Sequence, residues 1–259
     1  MKPQQTRSPL DRTPLLRLPG QSLSQQMDDL LLDQIVPALM LALFMVLIAG
    51  LEWWRYLTDA KPTPFIYSIV ALVMVGYAVY KVLRNMKAIR QLRQGRDGER
   101  VVAQNLERFR AAGFFVFHDV PSGDANVDHV LIGPQGIYSI ETKTLSKPLR
   151  GDCKVQVTPE AVYANGHKLD RNPVIQAKAQ AGWLRAFFTQ HEFKAPVWPV
   201  VALPGWFVET YDSREIGAWV VEIKALKGHI EKQRERLTRD EVKALASALA
   251  SYIDSSTHR

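Results

Sequence analysis

Two long apolar runs stand near the start of the chain, and the sequence beyond them alternates between short β-rich runs and amphipathic stretches. The first run, Ile35 to Trp54, is 20 residues long and carries a single charge, Glu52, near its far end. At the rise of an α-helix such a run reaches about 30 Å, the thickness of a bilayer core. Pro37 falls in the first turn, where a missing N–H costs little, and Trp53, Trp54 and Tyr56 follow as an interfacial aromatic belt does. Ile35–Gly50 has no polar face, which sets it apart from a buried amphipathic helix of a soluble domain. The second run, Phe65 to Leu83, is uncharged up to Lys81, whose long stem can snorkel outward. Only the segment from Arg55 to Pro64 joins the two, so the pattern predicts an antiparallel hairpin with both ends on one side.

Past the hairpin, Met86–Gln94 is predicted to continue the second helix, Gly95 to break it, and Asp97 to cap a new helix running from about Gly98 to Ala112 and ending at Gly113. The apolar stripe of that helix is Val102, Leu106 and Phe109, and Glu99 shares its inward face. Phe114–Val120 reads as a strand and Pro121–Asn126 as a turn-rich loop. Val127–Gly133 and Gly136–Lys143 are β-rich runs joined by Pro134-Gln135, the pattern of a hairpin. With a plain two-residue turn, Asp128 falls opposite Glu141, and Lys143 lies on the same face as Glu141. Pro134 favours instead a type I turn with a bulge at Gly136, which shifts the register by one, so the pairing stays open. Lys154–Val157 and Ala161–Tyr163 follow as strands, Asn172-Pro173 opens a helix to Gln190, and Val197–Leu203 and Ala218–Ile223 read as further strands. Thr238 starts a last helix through Tyr252, with Glu241 placed for a capping box. The alternation predicts an α/β domain.

Charge changes the picture less than the basic pI near 9.5 suggests. Residues 1–95 carry 11 Lys/Arg against 6 Asp/Glu, whereas residues 96–259 carry 22 against 20. The excess therefore flanks the apolar runs, where anionic lipid headgroups are the natural partner. Lys2, Arg7, Arg12 and Arg17 precede the hairpin, and Lys81, Arg84, Lys87, Arg90, Arg93 and Arg96 end or follow it, against Arg55 and Lys61 in its loop. By the positive-inside rule both termini are cytoplasmic, in a two-span protein expected in a bacterial inner membrane. The first run starts too far from Met1 for a cleaved signal peptide. The expected organisation is a disordered basic tail at 1–30, a transmembrane hairpin at 31–85, a basic juxtamembrane linker at 86–95 and an α/β domain at 96–259. Cys153 is the one cysteine, which excludes an intrachain disulfide and a multi-cysteine zinc site.

Two carboxylates and an ammonium on one edge of an otherwise apolar hairpin need a physical reason. Like charges opposed in a sheet repel unless a cation sits between them, and Mg²⁺ takes one or two carboxylates together with substrate phosphate. Asp128 and Glu141 are the candidate ligands, and Lys143 the candidate partner of an attacking water or of charge on a phosphoryl group. A surface hairpin whose acids are solvated and paired with Lys143 is the plain alternative. His118 and His129 have no further His or Cys at ligand spacing, and His129 points away from the face of Asp128.

The ordered set Gly98-Glu99, Val127-Asp128-His129-Val130, Ile132-Gly133-Pro134-Gln135-Gly136-Ile137, Ile140-Glu141-Thr142-Lys143 and Asn172-Pro173 with Gln176 resembles the nuclease-related domain, a branch of the PD-(D/E)xK restriction-endonuclease-like superfamily. The resemblance covers about residues 96–205. It implies a restriction-endonuclease-like mixed β-sheet flanked by helices, here preceded by two transmembrane helices. It also implies a site of Glu99, Asp128, Glu141, Lys143 and Gln176, with Mg²⁺ or Mn²⁺ on Asp128 and Glu141 and support from the helices through Glu99 and Gln176. Thr144 stands where the family often has a small or amide residue, and Leu145–Leu149 is longer and more basic than its pattern. The implied function is a membrane-anchored, metal-dependent phosphodiesterase acting on nucleic acid, DNA ahead of RNA. The alternatives are a degenerate nuclease fold that binds nucleic acid or protein, and a membrane scaffold whose hairpin carries the function. Near-neutral charge over 96–259 favours the degenerate module; retained opposed acids favour the enzyme.

Overall fold

The computed structural model describes residues 18–58, 64–123, 125–147, 153–210 and 213–257. The chain divides into two compact units, residues 22–96 and residues 97–259 together with 1–21. The expected disordered tail falls mostly on residues 1–17, outside the described ones; Gln21–Asp29 is helical (α1).

In the first unit a six-residue π-helix, Leu30–Ile35, leads into α2 (Val36–Leu57), and the second apolar run lies in α3 (Pro64–Leu106). Ala38 and Ala42 are buried together with Ala78, small residues that let two helices approach closely. Trp53 Nε1 donates to Ser68 Oγ at 2.9 Å. The remaining faces are uncovered: Leu39, Met40, Leu43, Phe44, Leu72 and Val73 are all exposed. Two helices are thus long and apolar enough to cross a membrane. Gly95 does not break the helix as expected. α3 continues to Leu106 and ends in a 3₁₀ segment, Glu107–Ala112, closed by Gly113 at φ +85°. One glycine costs a helix only about 1 kcal/mol, and strong helix formers surround this one.

The second unit is built on a five-stranded sheet of order β1-β2-β3-β7-β9. Its strands are β1 (Phe115–Ser122), β2 (Ala125–Gly133), β3 (Gly136–Thr142), β7 (Val197–Ala202) and β9 (Trp219–Val221). The first three are antiparallel, and β3, β7 and β9 are parallel, so the sheet is mixed. A smaller sheet, order β6-β5-β4-β8, comprises β4 (Lys154–Val157), β5 (Val162–Ala164), β6 (His167–Lys168) and β8 (Phe207–Thr210). Helices α4 (Pro173–Gln190) and α7 (Arg239–Thr257) cover one face of the large sheet, where Val130, Ile132 and Ile137 pack with Leu184, Phe188 and Leu249. The last turns of α3 and helix α6 (Leu226–Glu231) cover the other, where Leu131, Tyr138 and Ile140 meet Val102, Leu106 and Leu226. A short helix, α5 (Ser213–Ile216), precedes β9. Buried on both faces, β3 has no exposed residue, as a central strand requires.

Local signals explain the elements that hold the site. Asn172 Oδ1 accepts the Val174 N–H at 3.0 Å and caps α4, with Pro173 in its first turn. The Thr238 N–H donates to Glu241 Oε2 at 2.7 Å and the Glu241 N–H to Thr238 Oγ1 at 3.3 Å, the reciprocal capping box read from the sequence. The β2–β3 hairpin keeps the plain register, His129 with Ile140 down to Gly133 with Gly136, and no bulge intervenes. Gly136 takes φ +136°, a conformation open to glycine, and thereby closes the turn without shifting the strands.

Candidate active site

That register sets Asp128 and Glu141 on the next rung and on the α4 side of the sheet. The strands part there: Asp128 Oδ2 accepts the backbone N–H of Thr142 at 2.6 Å. Glu141 is buried, and its Oε2 accepts from Gln180 Nε2 at 2.7 Å. The same amide donates to Asn126 O at 3.1 Å. Lys143, half-buried, follows the end of β3, its N–H anchored on Ala202 O at 3.0 Å. Glu99 is buried on α3. Gly98 beside it is pressed against Thr144, so closely that a Cβ there would lie 2.8 Å from Thr144 Cβ. Thr144, a departure from the family pattern, is thus the residue against which the Glu99 turn packs.

Two further residues join the site that were not among the expected site residues. Asp119 occupies the rung opposite Asp128, between the bonded pairs His118 with His129 and Val120 with Val127. It is buried, takes φ +50°, and its Oδ1 accepts from Asn126 Nδ2 at 2.7 Å. The signal for it was the connection after Ser122. Pro121 pairs with Asn126 and Ser122 with Ala125, so the strands run through most of the expected loop Pro121–Asn126 and that pairing fixes the register. Gln180 is the other, and it corrects the expectation for Gln176. The buried stripe of α4 runs through Val174, Ala177, Gln180, Ala181, Leu184 and Phe188, and Gln176 falls beside it in solvent. Both glutamines sit on one helical row, but the site lies level with the second turn.

The electrostatics follow from four neighbouring carboxylates, of which Glu99, Asp119 and Glu141 are buried and Asp128 is half-buried. Burial first, then the charges of Asp128 and Asp119, push Glu99 up to about 8. Asp128 is raised well above the ordinary carboxylate range by burial and then by Glu141, against the Thr142 N–H and the Lys143 ammonium. Burial raises Glu141 to about 7, while the Gln180 amide and Lys143 pull it back. Groups so disposed gain from any cation that enters. Among the described residues no three or more His, Cys, Asp or Glu are arranged to hold a metal ion. Asp128 and Glu141 are the two carboxylates that could hold a cation together, and a pair would suit Mg²⁺, which takes one or two carboxylates and keeps several waters.

On the opposite face His118 Nδ1 and His129 Nδ1 lie 2.8 Å apart, and His118 Nε2 is 3.2 Å from Glu107 Oε1. Burial lowers the pKa of both imidazoles. They serve the packing of the β1–β2 rung next to the site, not the site itself.

Residues 94–204 match the family model of the nuclease-related domain. Comparison with curated proteins and with solved structures returns no match.

Proposed function

From the match of residues 94–204 to the nuclease-related domain, we propose that the chain is a membrane-anchored, metal-dependent nuclease working at the cytoplasmic face. One observation carries the reading: Asp128 and Glu141 follow the last bonded pair of the β2–β3 hairpin, Asp128 accepts the Thr142 N–H, Gln180 donates to Glu141, and the Lys143 charge lies near both acids. A binding-only domain gains nothing from burying opposed acids, whereas phosphodiester hydrolysis uses both. Asp128 and Glu141 would hold Mg²⁺ or Mn²⁺. When bound, the ion supplies Lewis-acid polarisation of a phosphoryl oxygen and charge neutralisation.

The chain's own groups do the rest. The Thr142 N–H fixes the carboxylate of Asp128, and Gln180 fixes that of Glu141. Lys143 presents an ammonium beside both, placed to orient an attacking water and to offset charge on the phosphoryl oxygens. Glu99 sits behind Asp128 as a buried carboxyl that holds its proton through neutral pH.

The test is the detergent-solubilised full chain, offered single- and double-stranded DNA and RNA with Mg²⁺, Mn²⁺ or EDTA. Cleavage that requires the ion supports the reading and ranks the substrates. A folded chain that neither cleaves nor binds Mn²⁺ would point to the degenerate module.

The anchor is read from the exposed apolar faces of α2 and α3 and from the cations that flank them. In a Cys153→Ser background, Lys61→Cys is expected to react with an impermeant thiol reagent in intact cells, and Lys232→Cys only after permeabilisation. The reverse pattern would invert the topology, and equal labelling would remove the hairpin from the membrane.

A further inference from the structure

At its open end the helical hairpin of the first unit is acidic along one helix and basic along the other. The two helices run antiparallel in fixed step. Leu23 lies over Gly95, where a Cβ would stand 3.2 Å from Leu23 Cδ1, and Ala38 and Ala42 meet Ala78. At the loop end the rings of Trp53 and Phe65 are 6.0 Å apart. Trp53 is thirty residues on from Leu23 and Phe65 is thirty back from Gly95, so no slip accumulates between these contacts. The shared length is about 45 Å, which exceeds a bilayer core by about 15 Å.

The same step gives the heights of the charges. Asp28, five residues on from Leu23, is level with Arg90, five back from Gly95. Asp33, ten on, is level with Asn85, between Arg84 and Lys87. From Leu18 to Trp54 the chain holds Asp28, Asp29, Asp33 and Glu52 and no Lys or Arg. From Phe65 to Arg96 it holds six Lys or Arg and no Asp or Glu. Asp28, Asp29, Asp33, Arg84, Lys87 and Arg90 are all exposed, and among the described residues no ion pair joins the two sets within the chain. The seam of the hairpin passes through Leu23, Ala38, Ala42 and Ala78 instead, and the charged side chains stand outside it.

A two-fold axis parallel to the helices moves no residue along them, so level groups stay level. It sets the acidic helix of each copy beside the basic helix of the other. It also brings together exposed apolar side chains further along, Leu39 and Leu43 on α2 and Leu72 and Val73 on α3. Opposite charges flanking an apolar interface fix its partner and its register. Anionic headgroups suit the basic helix but are repelled by the acidic one, whereas a second copy suits both. We propose that the hairpin pairs with a second copy of this chain as a two-fold four-helix bundle, with Asp28, Asp29 and Asp33 of each copy facing Arg84, Lys87 and Arg90 of the other. The pairing goes beyond the nuclease reading and does not rest on it.

Light scattering of the full chain in detergent micelles is expected to give a dimer. In a Cys153→Ser background, Asp29→Cys chains mixed with Arg90→Cys chains in lipid vesicles should form an intermolecular disulfide several-fold more than either variant does alone. Asp28→Lys, Asp29→Lys and Asp33→Lys together should weaken association by about tenfold or more, and so should Arg84→Glu, Lys87→Glu and Arg90→Glu together. Mixing these two reversed chains should restore it, because each altered helix then meets its complement. If the basic reversal prevents insertion, the cysteine mixture alone decides. A monomer at every concentration, a disulfide yield no higher in the mixture than alone, or a dimer indifferent to both reversals overturns the pairing.

Discussion

Lys143→Ala is expected to lower metal-dependent hydrolysis by roughly 10²–10³-fold while the metal stays bound. The fold tolerates the change, because Lys143 is half-buried beyond β3 and its structural tie is the backbone N–H to Ala202 O. The ammonium favours the ionised forms of Asp128 and Glu141, but it also repels a cation placed between them. The two effects oppose each other, so affinity for Mn²⁺ is expected to change little and the loss to fall on kcat. Asp128→Asn and Glu141→Gln should differ in kind, losing the ion first and the rate with it. Titration of Mn²⁺ against each variant, followed by single-turnover cleavage at saturating metal, separates the two. If excess metal restores Lys143→Ala, its role is structural, and the assignment of Lys143 to the reacting water is wrong.

Hydrophobic alternation placed the β2–β3 hairpin but left its register open, and the packing of Ile132 and Ile137 in the core settles it in the plain register. Pro134 argued for a bulge that did not form, since Gly136 absorbs the turn at φ +136°. Both capped helices, α4 and α7, were legible because their caps are local chemistry. Gln176 was misplaced for a reason that no local signal corrects. Helical periodicity gives the face of α4, but the level along its axis at which β3 ends is set by packing. Asp119 was missed because a strand residue opposite another acid reads as solvated until the partner helices are in place. The Gly95 break failed in the other direction: a local preference of about 1 kcal/mol was weighed without the helix around it.

Metal binding should release protons and strengthen with pH. Glu141 is held near 7 and Glu99 near 8, both chiefly by burial, so below those values a cation must displace protons to bind. Apparent Mg²⁺ or Mn²⁺ affinity is therefore expected to rise between pH 6 and 8, by about tenfold per unit for each proton displaced, and to level off above that. The stability of the metal-free protein must run the opposite way. Carboxyl groups with raised folded pKa values bind more protons folded than unfolded between the ordinary value of 4.5 and about 8. Stability then falls as pH rises through that window, by on the order of 2–4 kcal/mol from Glu99 alone. Thermal unfolding followed by the fluorescence of Trp183, Trp198, Trp206 and Trp219 would show the metal-free melting temperature dropping from pH 5 to 8.5, with Mg²⁺ restoring more at 8.5 than at 6. Glu99→Gln should flatten the metal-free profile, because the amide never ionises against Asp128 and Asp119. A melting temperature that climbs over the same range would mean that the carboxylates are already compensated by protein cations. The case for a cation between Asp128 and Glu141 would then lose its physical basis.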